Sequence, residues 1–200
     1  MNSKTELLFV IDKSGSMSGL ESDTIGGFNS TLNRQKDCKG EVIVSTVLFN
    51  GRSATIHDRV DIKQVQPMTQ EDYVAEGNTA MLDAVGLSVE HILSVHAGMK
   101  KEDVPSKTIA VIITDGYENS SRNFTYESVK SLIDSLSKKG WEFMFLGANI
   151  DVAKEAGRMG IRRDNAMSYD CDSEGVENMY CMMSDVVCSK INPKDQEDEL

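Results

Sequence analysis

Basic residues are in short supply. The 21 Lys and Arg set against 32 Asp and Glu leave a formal net charge of −11, so the chain lacks the cationic footprint that nucleic acid or an anionic membrane requires. Some of the excess acid, at Glu21, Asp23 and Glu118, would recruit cations if it clustered; solubility is the ordinary alternative. Cysteine and histidine are also sparse, at 4 and 3 residues. Cys38, Cys171, Cys181 and Cys188 form no C-x-x-C pair. Cys181 and Cys188 share a predicted helix at core-facing spacing, and they read as buried reduced thiols of a cytoplasmic protein. His91 and His96 do not share a helix face well and His57 falls in a predicted strand, so no histidine metal site is expected. No apolar run approaches the ~18 residues of a membrane span. The amino terminus shows no signal-peptide pattern, because Leu7 to Ile11 is too short for its apolar segment. The 3 prolines, Pro67, Pro105 and Pro193, each fall between periodic segments.

What is present is enough for one substantial core. With 200 residues, 40% of them hydrophobic, and no linker, repeat or low-complexity stretch, the expectation is a single domain over 1–190 followed by an acidic tail, 191–200.

Polar clusters at the ends of apolar runs carry the chemistry. Leu7-Leu8-Phe9-Val10-Ile11 reads as a buried strand, and it stops at Asp12-Lys13-Ser14-Gly15-Ser16-Met17. Carboxylate and hydroxyl oxygens suit hard cations such as Mg²⁺, Mn²⁺ and Ca²⁺. A second run, Ile109 to Ile113, ends in Thr114-Asp115-Gly116. The third segment, Gly77-Asn78-Thr79-Ala80-Met81-Leu82-Asp83-Ala84, opens a helical pattern. Each also has an ordinary reading: a Ser/Gly turn, an Asp-Gly turn and a Thr helix cap.

Together, in this order and each beside its strand or helix, the three segments resemble the von Willebrand factor type A domain and its metal-ion-dependent adhesion site. The resemblance runs from about Thr5 to Lys190. It implies one divalent cation, Mg²⁺ or else Mn²⁺ or Ca²⁺, held by Asp12, Ser14, Ser16, Thr79 and Asp115. One coordination position would stay open for a Glu or Asp of a partner protein. Asp83 and Asn149 are candidates for an outer layer around these ligands. Asn78 stands where the family most often has a second glycine, and its tolerance of left-handed backbone is expected to preserve the loop. Apolar contacts with the partner are expected from Met17, Leu20 and Tyr117.

Two other functions compete with binding. An Asp at a strand end beside Mg²⁺ also describes phosphoryl-transfer enzymes, but Ser14 stands where a dehalogenase-type enzyme places its acid/base Asp. No nucleophile and base pair is evident, so no enzymatic activity is expected. In the third reading the metal only rigidifies the loops of an accessory subunit.

The remaining pattern predicts an α/β fold. A helix follows from Leu20, Ile25, Phe28 and Leu32. The strands Glu41 to Phe49 and Arg52 to Val60 are joined by Asn50-Gly51, a hairpin signal. Further helices are expected at Thr79 to Val95, around Val129 to Leu136, at Asp151 to Met159 and at Glu174 to Cys188, with strands at Trp141 to Leu146 and Ala166 to Tyr169. This order implies a doubly wound, mostly parallel six-stranded sheet with one antiparallel edge strand and helices on both faces.

Overall fold

The computed structural model describes residues 4–37 and 40–191. Cys38 and residues 192–200 of the acidic tail lie outside the described residues, while Ile191 closes the last helix. Among these residues, five α-helices surround a six-stranded sheet: β1 Thr5–Asp12, α1 Glu21–Lys36, β2 Val42–Phe49, β3 Ser53–Asp61, α2 Met81–Gly98, β4 Lys107–Thr114, α3 Tyr126–Ser137, β5 Trp141–Gly147, α4 Val152–Arg158, β6 Ala166–Ser168 and α5 Ser173–Ile191.

The strand order is β3-β2-β1-β4-β5-β6. All pairings are parallel except the β2–β3 hairpin, which turns at the expected Asn-Gly and puts its antiparallel strand at the edge. β1 is followed by β2 on one side and pairs with β4 on the other. Strand order reverses between them, and such a switch point opens a crevice beyond the strand carboxyl ends.

β1 is buried along its whole length, as a strand covered on both faces must be. Leu7, Phe9 and Ile11 join Phe28 and Leu32 of α1 and Val176, Met179, Tyr180 and Met183 of α5. Leu8 and Val10 face the other way, into a cluster built with α2, α3 and α4. Two apolar layers thus fix the central strand without help from its loops.

Polar β1 residues bracket this apolar stretch. Glu6 is fully buried, with Arg59 Nε 3.3 Å from one carboxylate oxygen and His96 Nε2 2.7 Å from the other. Arg59 reaches it from a left-handed backbone, φ 53°, where the β2–β3 register shifts.

The cysteine expectation needs correction. Cys181 is exposed, and Cys171 and Cys188 are partly exposed. α5 turns Val176, Met179, Tyr180, Met183 and Val187 inward, and Cys181 falls on the opposite side of that stripe.

Candidate metal centre

Three loops meet at the β1–β4 crevice, and each follows from a local cause. β1 ends at Asp12 because the chain leaves the sheet in a short 3₁₀ turn, Gly15–Met17. The turn folds back under Asp12, whose Oδ1 accepts from the Ser14 amide at 2.7 Å. The register sets Ile11 beside Ile113, so Thr114 lies next to Asp12 and donates its hydroxyl to Oδ2 at 2.6 Å. Tyr73, fully buried, donates its phenol to the Asp12 carbonyl.

The five candidate ligands come together. Ser14 Oγ and Ser16 Oγ are 3.1 Å apart, and Ser16 Oγ donates to Asp115 Oδ1 at 2.5 Å. Thr79 is placed by its neighbours: its amide donates to Asn119 Oδ1, its carbonyl accepts from the Asn119 amide, and the Ala80 amide bonds the Asn50 carbonyl. A Cβ on Gly116 would stand 3.4 Å from both Ser16 Oγ and Thr79 Oγ1. The bare glycine therefore keeps the space beside the two hydroxyls clear. Thr79 is not a helix cap, since Ala80 holds that position and makes no side-chain bond.

This donor set fits a hard divalent cation. It offers two carboxylates and three hydroxyls, and among the described residues no group of three or more His, Cys, Asp and Glu gathers as a soft-metal or all-acid site would need. Asp12 is fully buried and Asp115 nearly so. Burial lifts the Asp12 carboxyl to about 6, against the bonds from Thr114 and Ser14, and the charge of Asp115 adds to the lift. Burial raises Asp115 too, opposed by Ser16 and Cys171. Two buried carboxylates with no cationic side chain paired to them among the described residues are what a bound metal would relieve.

Several expectations around the site change. The left-handed residue of the third loop is Gly77, φ 78°, and Asn78 does not adopt that region, so the second glycine is not missed. Asp83 does not bond the Thr79 loop. It accepts from the amides of Arg122, Asn123 and Phe124 and from the Asn123 side chain, clasping the segment after β4. Glu118 is not a loose rim charge. It accepts from the amides of Leu82, Ser120 and Ser121 and from the Ser121 hydroxyl. Met17 and Leu20 are buried in the α1/α5 core layer and present nothing to a partner, whereas Tyr117 is 50% exposed. Asn149 follows β5 with φ 57°, and its side chain opposes the rise that burial gives the Cys171 thiol pKa.

Thr114, Tyr73 and Asn119 are parts of this framework that sequence reasoning missed. Only Thr114, flanked by the apolar run and Asp115, carried a local signal.

The sequence profile of the von Willebrand factor type A domain matches residues 6–180. The chain belongs to this family. Comparison with curated protein sequences finds no match. Among solved structures, the A-type domain resembles proximal thread matrix protein 1 of the mussel byssus, with TM-score 0.63 at 16% identity over 92% of this chain and 46% of that one. A crystal of the mussel protein described as having a zinc-occupied MIDAS motif gives 0.60 at 15% identity, with the same coverage. Manganese-loaded TRAP protein of Plasmodium vivax gives 0.61 at 15%, over 89% of this chain and 72% of that chain. This chain therefore spans about half the length of the mussel protein, and the likeness is one of fold. No helix among the described residues is long and apolar enough to cross a membrane.

Proposed function

We propose that this A-type domain is a metal-dependent protein-binding module, not an enzyme. Asp12, Ser14, Ser16, Thr79 and Asp115 would hold one Mg²⁺, or Mn²⁺ or Ca²⁺ in its place. The observation that carries this reading is the convergence of these five oxygen-bearing side chains, three of them neutral hydroxyls, from three loops at the sheet's switch point. The bound cation supplies an electropositive point at which a Glu or Asp of a partner protein completes the coordination shell. Ser14, Ser16 and Thr79 contribute no charge, so the two carboxylates balance a divalent ion without quenching its attraction for a third.

The chain's own residues define the rest of the surface. Tyr117, two residues after Asp115 and about half exposed, offers apolar contact beside the crevice. Long-range repulsion between an acidic partner and this acidic domain is a screened surface effect of ~1 kcal/mol or less per pair. Nucleic acid and membrane are not the expected partners, and the cytoplasm is the expected compartment.

Phosphoryl transfer is the weaker reading. Both Asp12 oxygens are engaged by Ser14 and Thr114, and Lys13 Nζ points 3.5 Å from the Asp72 carbonyl instead of into the site. Nothing there is poised as nucleophile or base.

Titration calorimetry with Mg²⁺ and Mn²⁺ tests the metal, and co-precipitation in Mg²⁺ and again in EDTA tests the bridge. Asp12→Ala and Asp115→Ala are expected to abolish binding of the ion, and Thr79→Ala to weaken partner capture more than folding. Unchanged metal binding in both Asp variants places the ion elsewhere. Recovery of the same partners in EDTA removes the metal-bridged mechanism.

A further inference from the structure

We propose that Cys171 is a positioning residue of this centre: its thiol fixes the Asp115 carboxylate so that Oδ1 is presented to Ser16 and the other ligands. The inference rests on the metal-binding reading above. The Cys171 Sγ lies 3.7 Å from Asp115 Oδ2, within reach of a weak S–H donor, while Ser16 Oγ donates to Oδ1.

The two contacts come from opposite sides. Ser16 follows β1 and Cys171 follows β6, and these strands lie on opposite flanks of β4 in the sheet. A carboxylate held at one oxygen can still turn about its side-chain bonds; held at both, its plane is set before any ion arrives. Asn149 extends the arrangement. It sits in left-handed backbone after β5, and its side chain acts on the thiol, opposing the rise that burial and Asp115 give its pKa. A line of contacts from Cys171 through Asp115 and Ser16 to Ser14 therefore crosses the carboxyl ends of the sheet, with Asn149 beside its outer end.

The chemistry suits a supporting role. Sulfur is a weak donor, so it orients the oxygen without withdrawing as much charge from it as an ammonium or guanidinium would. A thiol turned to a carboxylate is also a group that a hard cation has no reason to take as ligand.

The experiment measures Mn²⁺ affinity by calorimetry in the parent, Cys171→Ala, Cys171→Ser and Asn149→Gly, with Co²⁺ absorption spectra and metal-free melting temperatures alongside. Cys171→Ala is expected to weaken Mn²⁺ by about tenfold, the low end for loss of an outer partner of a metal ligand. Cys171→Ser, which keeps a donor, should recover most of that loss. Asn149→Gly keeps the backbone and loses the side chain, so it should move affinity the same way by less. Metal-free melting should stay at the parental value, and bound Co²⁺ should show no sulfur-to-cobalt charge-transfer band. Parental affinity in Cys171→Ala, or no recovery in Cys171→Ser, overturns the positioning role. A charge-transfer band overturns it as well, because the thiol would then be a ligand itself. If the parent binds neither ion, the fault lies in the metal-binding reading from which this one grows.

Discussion

Ser16 Oγ donates to Asp115 Oδ1 at 2.5 Å across 99 positions of sequence, tying the turn after β1 to the end of β4. The cost of closing so long a loop is met by the fold, since β1 and β4 already pair side by side. The contact therefore belongs to the folded scaffold. What the scaffold leaves unresolved is charge, because Asp115 also pushes the Asp12 carboxyl upward.

That tension makes the metal-free domain sensitive to pH. The Asp12 carboxyl stands at about 6 in the fold against 3.8 ordinarily, chiefly through burial. Between those values the native state binds the proton that the unfolded chain releases, so stability from this group is full below the lower value and is lost as pH rises through the upper one. Urea unfolding of the metal-free parent and of Asp12→Asn should diverge in that window, the parent losing ground as pH rises. Mn²⁺ affinity should run the other way and strengthen with pH, because the ion must displace that proton. Parallel pH profiles for the two proteins would contradict the assignment.

Asp83 and Glu118 should matter for order more than for total stability. Burial tends to raise the Asp83 carboxyl, but the amides of Arg122, Phe124 and Asn123 outweigh it and hold the group below its usual range. Its contribution is present above the ordinary carboxylate pKa and disappears as pH falls through the lowered one. Asp83→Ala should cost about 1–2 kcal/mol, consistent with a partly exposed set of charge-assisted bonds. Hydrogen exchange should report it, with the amides of Arg122, Asn123 and Phe124 deprotected while those of β4 keep parental protection.

Removing metal should leave the fold standing. Both apolar layers are complete without any candidate ligand. EDTA should thus lower the melting temperature modestly and leave far-ultraviolet circular dichroism nearly unchanged. Loss of helical signal on chelation would favour the accessory-subunit reading.

Gly27 offers a control remote from the site. A Cβ there would stand 2.3 Å from Tyr180 Cδ2, so α1 and α5 approach only because the side chain is absent. Gly27→Ala should destabilise by roughly 1–3 kcal/mol through overpacking. A urea midpoint that does not move would show that the helices separate at little cost.

Strands, hairpin and ligand loops were legible because their signals are local. β1 contains the uninterrupted apolar run Leu7 to Ile11, Asn50-Gly51 is a strong local hairpin signal, and the D-x-S-x-S string sits directly on a strand end. The misread residues depend on partners far away in sequence. Glu118 looks like a surface acid until the helix start at Leu82 is brought against it, and Asp83 faces a segment about 40 positions distant. Met17 lies among polar residues, yet the 3₁₀ turn rotates it inward, 1% exposed. The bond between Cys171 and Asp115 could not be foreseen, because β6 is 3 residues long and gives little sign of where the chain next leads.

β1 carries a buried carboxylate near each end, and the two are answered differently. Glu6 meets Arg59, with His96 bonded beside it, so the Arg59 guanidinium delivers its counter-charge from the chain itself whenever the protein folds. Asp12 meets the Thr114 hydroxyl and the Ser14 amide, which orient it and leave its charge standing. On the reading proposed here, one pole of the strand is finished by heredity and the other by the surrounding medium. The same folded molecule would then exist in two electrostatic forms, chosen by the free cation concentration around it and without any rearrangement of the sheet.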